Sequence, residues 1–210
     1  MLEPEVDFDV IFKPEERENY GNRKDDRTDE ETAENLSTGI NLQEKLFHEF
    51  VSRYLKFLEE YSQCPLKILD YKYLANTEIN KGYYEDSLDA KILFCVKNKP
   101  PFWQKIEIEA VPHNTRFARF KKTKILMCIE KKVPIIHFQL GIKVPKMYVF
   151  SPSDLIIMDK IGYMIDKGYI GNKEVYRFDT SSPGPFLGVE WPSLNPFEVY
   201  KKCLGKIVNL

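Results

Sequence analysis

The sequence contains no uninterrupted apolar run approaching the ~18 residues that would cross a membrane. Its beginning, MLEPEVDFDV, has neither the basic start nor the apolar stretch of a secretory signal. The four cysteines are scattered and form no C-x-x-C pair, which argues against a zinc knuckle or a disulfide framework. A phosphate-cradling glycine loop and a G-x-S-x-G motif are also missing. These absences favour a cytoplasmic protein with no membrane partner.

The composition is that of a folded chain. Its 210 residues correspond to about 1.4 typical domains, so we expect one domain with an appendage. Hydrophobic residues make up 43% and aromatic residues 13%, which is enough for a hydrophobic core. The 30% of charged residues, together with many lysine, isoleucine and tyrosine residues, is compatible with a thermophilic source.

The charge is unevenly distributed. Residues 1–40 hold 13 acidic and 5 basic residues, whereas the remainder holds 19 acidic and 26 basic residues. A basic body suggests nucleic acid as a partner. Ordinary solvated surface charge explains the same numbers equally well.

The chain divides into an arm and one domain. Residues 1–38 are predicted as an acidic, flexible arm, because residues 14–38 have almost no apolar side chains. Residues 39–210 are predicted as a single α/β domain, with a core at 41–150 and a C-terminal extension at 151–210. Asn41 and Glu44 predict a helix cap, and apolar residues at helical spacing continue that helix to about Tyr61.

Runs of β-type residues predict the strands. They fall at 67–74, 90–96, 103–111, 133–140 and 146–150, with an antiparallel hairpin joining the second and the third. Asn114 is predicted to open a helix that ends before Pro134. A strand–helix–strand return favours a parallel crossover, so the predicted fold class is α/β, with a mixed β-sheet flanked by helices.

The C-terminal extension has weaker signals. Ser151 and Pro152 predict the start of a helix that ends near Gly168. Beyond it we expect an edge strand at 174–179, a loop at 183–196 and a short last helix that begins at Asn195.

Three acidic residues could bind a metal ion. Glu107 and Glu109 alternate with apolar residues, so they share one face of the predicted strand, and Asp89 stands at the head of its hairpin partner. Carboxylates on one face repel each other, and Mg²⁺ or Mn²⁺ held by oxygen ligands would remove that repulsion. The alternative is an amphipathic strand with a solvated charged face.

These acids, in the order helix, three strands, helix, strand, resemble the PD-(D/E)XK nuclease superfamily over residues 41–150. Within it, the chain is similar to nucleases of spindle-shaped viruses of thermoacidophilic archaea, which would place it in the host cytoplasm. The resemblance implies an αβββαβ restriction-endonuclease-like core. It implies Asp89 as the metal-binding aspartate and Glu107 as the acidic residue of the (D/E)xK motif. Glu109 falls where the family usually has its catalytic lysine, although some restriction enzymes have glutamate there.

Other members of the superfamily carry that lysine on the following helix. On a helical wheel Lys121 lies within an apolar arc, which makes it the first candidate, and Lys124 is the second. A supporting glutamate on the first helix, as in many members, would be Glu44. The alternatives are surface lysines whose stems cover apolar residues, and a Glu44 that only caps its helix. His48, His113 and His137 have no metal-binding spacing and are interpreted as structural or exposed.

Basic residues concentrate in the predicted helix. They could bind phosphate groups without reading sequence, or they could form a solvated face: Arg116, Arg119, Lys121, Lys122 and Lys124. We therefore expect a metal-dependent nuclease that hydrolyses phosphodiester bonds, with DNA as substrate and two active sites paired in a homodimer. The alternatives are a catalytically inactive nucleic-acid-binding or assembly protein on the same fold, and an unrelated α/β interaction protein.

Overall fold

The computed structural model describes residues 29–60, 65–74, 88–111, 117–162, 164–166, 173–179, 188–191 and 205–208. The described helices are α1 (Asp29–Glu60), α2 (Lys122–Glu130), α3 (Pro152–Ile161) and α4 (Gly205–Val208). The strands are β1 (Leu66–Tyr73), β2 (Ala90–Val96), β3 (Phe102–Val111), β4 (Phe117–Lys121), β5 (Ile135–Gln139), β6 (Lys146–Phe150), β7 (Met164–Asp166), β8 (Lys173–Asp179) and β9 (Val189–Glu190). No helix within these ranges is long and apolar enough to span a membrane.

The main sheet has six strands in the order β1-β2-β3-β5-β6-β9. β3 and β5 are parallel, and all other neighbours are antiparallel. The five strands predicted between residues 67 and 150, the hairpin and the parallel crossover are confirmed. The mixed sheet with its flanking helices also confirms the α/β class.

A second sheet of three strands, in the order β4-β8-β7, was not predicted. The helix predicted from Asn114 is wrong over residues 117–121, which form β4, and its first residues lie outside the described ranges. In β4, Ala118 and Phe120 are buried while Arg119 and Lys121 are exposed, which is the two-residue period of a strand. Because β8 lies between β4 and β7, it is a central strand and not the predicted edge strand.

Helix α1 begins earlier than predicted. Residues 29–38, assigned to the flexible arm, form its first ten residues, while residues 1–28 lie outside the described ranges. Asn41 is therefore inside the helix, and the prediction that it caps a helix with Glu44 is wrong. The sequence of its first turn is acidic, which is typical of a helix N-terminus because the helix dipole is positive there.

Helix α3 is shorter than predicted. Its start is confirmed, since the Ser151 side chain accepts a hydrogen bond from the Asp154 backbone and Asp154 in turn accepts one from the Ser151 backbone. It ends at Ile161 and not near Gly168, because Gly162 follows at φ +99°, where the chain leaves the helix. Strand β9 lies within the predicted loop 183–196, and the helix predicted at Asn195 lies outside the described ranges.

Two hydrophobic cores cover opposite faces of the main sheet. The α1 core packs α1 against the sheet through residues that include Phe47, Phe50, Ile92, Ile106 and Ile108. The α2–α3 core packs α2, α3 and the second sheet against the other face through residues that include Phe120, Ile125, Cys128, Ile135 and Leu155. β3 lies between the two cores, so residues that alternate along it point to different cores.

Candidate functional site

The acidic residues of β3 point away from α1. Ile106 and Ile108 belong to the α1 core, so Glu107 and Glu109, which alternate with them, lie on the α2–α3 side. Ala90 of β2 is paired with Ile106, and the antiparallel register therefore brings Asp89 beside Glu107. Asp89 Oδ2 accepts a hydrogen bond of 2.8 Å from the Ile108 backbone N–H, which fixes its carboxyl group at this position.

Glu107 is the most deeply buried of these acids, with 4% of its surface exposed. Burial, opposed by Lys124 and reinforced by the charge of Asp89, raises the pKa of Glu107 to about 7. Burial also raises the pKa of Asp89, whose carboxyl group lies within hydrogen-bonding reach of Glu107. Within the described part of the chain, Glu107 Oε2 has no hydrogen-bond donor. Two facing carboxyl groups repel each other when both are ionised, and a shared proton or a bound cation relieves that repulsion.

Lys124 of α2 reaches both glutamates. Its Nζ lies 2.5 Å from Glu107 Oε1 and 2.6 Å from Glu109 Oε1. Burial alone would lower the pKa of Lys124, but the ion pairs with Glu109 and Glu107 outweigh it and raise that pKa. The ammonium group therefore stays charged and bridges the two glutamates. One helical turn further on, burial and the nearby Glu107 raise the pKa of the Cys128 thiol to about 12.

Lys121, the first-choice lysine, lies elsewhere. It is exposed at the end of β4, opposite Val175 of β8, so its predicted position on a helix beside the acids is wrong. The helical wheel that placed Lys121 within an apolar arc does not apply to it, because helix α2 begins only at Lys122. Of the two candidates, the structure brings Lys124 to the carboxylates.

The other predicted basic residues are dispersed. Arg119 is exposed on β4, Lys122 forms an ion pair of 3.1 Å with Glu174 of β8, and Arg116 lies outside the described residues. Arg119 and Lys122 do not share one face of a helix, because the chain changes from strand to helix between Lys121 and Lys122.

Helix α1 borders the acids from the other side of the sheet. Gln43 Nε2 donates a 3.1 Å hydrogen bond to the Ile108 carbonyl oxygen, and the Tyr73 hydroxyl donates one of 3.1 Å to the Ile40 carbonyl oxygen. Burial and the charges of Asp89, Glu44 and Glu107 raise the pKa of Tyr73. Glu44 thus lies near the acids, and its carboxylate is 3.6 Å from His48 Nε2.

Three further residues neighbour the site, and two of them, Gln43 and Tyr73, were not among the predicted site residues. Gln43 and Tyr73 could have been found from the alternation of β1 and the spacing of α1. His137 of β5 is opposite Glu109 in the register, is fully buried and shares a 2.9 Å hydrogen bond with Gln139. Burial lowers the pKa of His137, so the ring is neutral, in agreement with its interpretation as structural.

The site therefore combines a buried carboxyl pair, a third carboxylate and a bridging ammonium group. Across the ranges that the structure describes, no three histidine, cysteine, aspartate or glutamate residues form a group that could hold a metal ion. Asp89 and Glu107 face each other, whereas Glu109 is turned to Lys124. No protein-family model matches the sequence, and comparisons with curated proteins and with solved structures likewise found no match.

Proposed function

We propose that the protein is a metal-dependent nuclease built on a PD-(D/E)XK-like core. The chain order α1, β1, β2, β3, α2, β5 supports this proposal, because it agrees with the αβββαβ order that the resemblance implies once β4 is assigned to the second sheet. The resemblance places the site on the second and third strands of that core. Glu107 and Glu109 lie on β3, and Asp89 immediately precedes β2.

The observation that carries this proposal is the position of Lys124. The family usually has a lysine two residues after the acidic residue of the third strand, and this chain has Glu109 instead. An ammonium group nevertheless reaches that position from α2, 2.6 Å from Glu109 Oε1. A helix-borne lysine beside Glu107 supplies the charge that the strand lacks.

The acids fit a divalent cation. The buried Glu107 Oε2 has no donor in the described structure, and the Asp89 carboxyl group lies within hydrogen-bonding reach of Glu107, so both side chains would hold Mg²⁺ or Mn²⁺. Mg²⁺ is commonly held by one or two carboxylates together with water and phosphate oxygens, so two ligands suffice. When bound, such a cation activates water and stabilises charge on the phosphate.

The remaining roles follow from charge and position. Glu109, together with Glu107, holds the Lys124 ammonium group on the α2–α3 side of the main sheet. Because its pKa is raised, Lys124 acts as a fixed positive charge and hydrogen-bond donor to a phosphate oxygen or to water, and not as a base. Arg119, Lys121 and Lys122 remain our candidates for contacts with phosphate groups of DNA.

A second candidate function is a catalytically inactive nucleic-acid-binding protein. The observation that favours it is that Lys124 already neutralises Glu107 and Glu109. A cation would then compete with a resident ammonium group for the same oxygens.

Cleavage and metal affinity, measured together, separate the two functions. We expect wild-type protein to cleave plasmid or linear DNA with Mn²⁺ or Mg²⁺. Asp89→Asn and Glu107→Gln should each lower cleavage by about 100-fold or more and weaken Mn²⁺ binding measured by calorimetry. Lys124→Ala should also lower cleavage but leave Mn²⁺ binding equal or tighter, because the competing ammonium group is gone.

Lys160→Ala is the matched control, since Lys160 is an exposed lysine on α3. Circular dichroism checks that each variant is folded. Cleavage that persists in both Asp89→Asn and Glu107→Gln would overturn the site. Retained DNA binding without cleavage of any DNA or RNA form, under any divalent ion, would establish the inactive binding protein instead.

A further inference from the structure

Three lysines form a row across the main sheet. The register pairs Lys72 of β1 with Lys91 of β2, and Lys91 with Lys105 of β3. Neighbouring strands are about 4.8 Å apart, and like charges directly opposite each other are destabilising. Within the described part of the chain, none of the three ammonium groups forms an ion pair. The row therefore concentrates positive charge that its own sheet does not neutralise.

Trp103 lies beside this row. It belongs to β3, two residues before Lys105 and thus on the same face, and 39% of its surface is exposed. The Nζ atoms of Lys91 and Lys72 lie 4.6 Å and 5.8 Å from the centre of its ring. An exposed tryptophan flanked by two cations is an uncommon surface feature, since large aromatic residues are usually buried. We call Lys72, Lys91, Trp103 and Lys105 the Trp103 patch.

The Trp103 patch is continuous with the candidate site. Along β3 the same face carries Trp103, Lys105, Glu107 and Glu109, and along β2 it carries Lys91 after Asp89. Two residues of a strand span about 7 Å, so the lysine row is about 7 Å from Glu107 and the tryptophan about 13 Å. A ligand that lies along β3 would contact the tryptophan, the lysines and the acids in that order.

We propose that the Trp103 patch binds a single-stranded segment of nucleic acid, with an unpaired base stacked on Trp103 and its flanking phosphates held by Lys72, Lys91 and Lys105. This inference specifies the substrate of the proposed nuclease. The interpretation of the Trp103 patch as a substrate-binding surface therefore rests on the proposed function. The substrate class is then nucleic acid with unpaired nucleotides next to the scissile bond, such as a frayed, branched or single-stranded form.

Two features favour this ligand over an intact duplex. A tryptophan ring can stack only on a base that is not already stacked between neighbouring bases. Aromatic side chains that stack on bases beside a cationic groove are typical of proteins that bind single strands. The lysines lie in one line across a sheet, and a polyanion that follows this line relieves the repulsion between them. A patch that used charge alone would not need an exposed aromatic ring.

Binding in EDTA tests this inference without cleavage. The probes are a fluorescein-labelled 20-mer of oligothymidylate, the same length with abasic central positions, and a duplex of equal length. We expect Trp103→Ala to weaken oligothymidylate binding by roughly 5- to 100-fold, Trp103→Phe by much less, and duplex binding to stay unchanged. The abasic probe should bind wild-type protein about as weakly as oligothymidylate binds Trp103→Ala.

Two further measurements use the same samples. Oligothymidylate should quench the fluorescence of Trp103, and Trp103→Phe should abolish this quenching, since the buried Trp191 is only 6% exposed. Each lysine replaced by alanine should reduce the slope of log K against log salt by roughly 0.7. Leu126→Ala is the control, because Leu126 is an exposed apolar residue of α2, with 42% of its surface accessible.

The outcomes are distinguishable from those for the nuclease. If the protein binds the single strand through Trp103 but cleaves no nucleic acid, the Trp103 patch is supported and the nuclease function is contradicted. Cleavage and binding that are both indifferent to Trp103→Ala would overturn the patch and leave the nuclease intact. Equal binding of abasic and intact probes would reduce the patch to a general anion surface and contradict base stacking.

Discussion

Glu107 is the most deeply buried of the acids in the site, with 4% of its surface exposed. It is buried beside Asp89, and its pKa is raised from 4.5 to about 7. In this interval the folded protein binds more protons than the unfolded chain, so the free energy of unfolding falls as pH rises from about 4.5 through about 7. Above that range both states are ionised and this contribution is fully lost. The shift corresponds to at most about 3 kcal/mol.

The pH dependence of Glu107→Gln tests this assignment. The amide does not ionise, so in EDTA the stability of the variant relative to wild type should be higher at pH 8 than at pH 5, by up to about 3 kcal/mol. Urea unfolding at both pH values measures the difference. Glu130→Gln, at an exposed glutamate of α2, should keep the pH dependence of wild type. If Glu107→Gln keeps it as well, the carboxyl group does not titrate in this interval.

Among individual residues, the alternation of charged and apolar side chains along β3 was the feature of the sequence that predicted most of the site. It placed Glu107 and Glu109 on one face, and the hairpin register set Asp89 beside them. It could not identify Lys124, because the choice between Lys121 and Lys124 depended on where a strand changes to a helix. The same alternation and the helical spacing of α1 would have placed Tyr73 and Gln43 on facing surfaces, but their contacts follow from the packing of α1 against β1 and β3.

At the scale of elements, the start of α1 is the clearest departure from the sequence prediction. A polar segment without apolar period gave no reason to extend the helix before Asn41, yet α1 begins at Asp29 and passes through Gly39. Glycine in a helix interior is destabilising by roughly 0.5–1 kcal/mol relative to alanine. A Cβ atom at Gly39 would meet nothing within 4 Å.

Gly39→Ala should therefore raise the free energy of unfolding by roughly 0.5–1 kcal/mol. Urea unfolding of the full chain measures this. Gly188→Ala is the contrasting variant, because a Cβ atom there would lie 2.7 Å from the Tyr148 ring and should destabilise the protein by about 1–3 kcal/mol. A neutral Gly39→Ala would mean that residues before Asn41 do not contribute a continuous helix to the fold.

Strand β4 shows why part of the fold was beyond sequence reasoning. Apolar and polar residues alternate from Phe117 to Lys121, as in a strand. The helical spacing of Ile125 and Cys128 can, however, be continued towards the N-terminus through the same residues, and it then predicts a helix. The residues that determine the strand conformation are in β8, which is distant in sequence and in which Val175 pairs with Lys121. Local propensity was overridden by a partner strand that the pattern around Phe117 cannot indicate.

At the scale of the whole molecule, the site owes its properties to two cores on opposite faces of one sheet. The α1 core holds Ile106 and Ile108, which orients Glu107 and Glu109 towards α2. The α2–α3 core holds Ile125 and Cys128, which orients Lys124 towards the sheet. Burial between these layers makes the carboxyl pair costly to ionise, and it also strengthens any charge interaction that forms there. The Trp103 patch continues from the site along β3 on the same face.

The uneven charge of the chain gives the last prediction. Residues 1–28 hold nine acidic and five basic residues, while four further acidic residues lie between Asp29 and Glu34 in α1. If the acidic segment competes with nucleic acid for basic surface, deleting residues 1–28 should tighten binding of DNA several-fold at low salt. The gain should disappear near 1 M salt, where the Debye length falls to about 3 Å. Fluorescence anisotropy across a salt series measures this effect. A full-length variant in which four of the nine acids are replaced by their amides, which brings this segment to zero net charge, should match the deletion, because charge and not length is the cause. Unchanged affinity in both proteins would show that residues 1–28 lie away from the basic surface, and a gain only on deletion would indicate steric blocking instead.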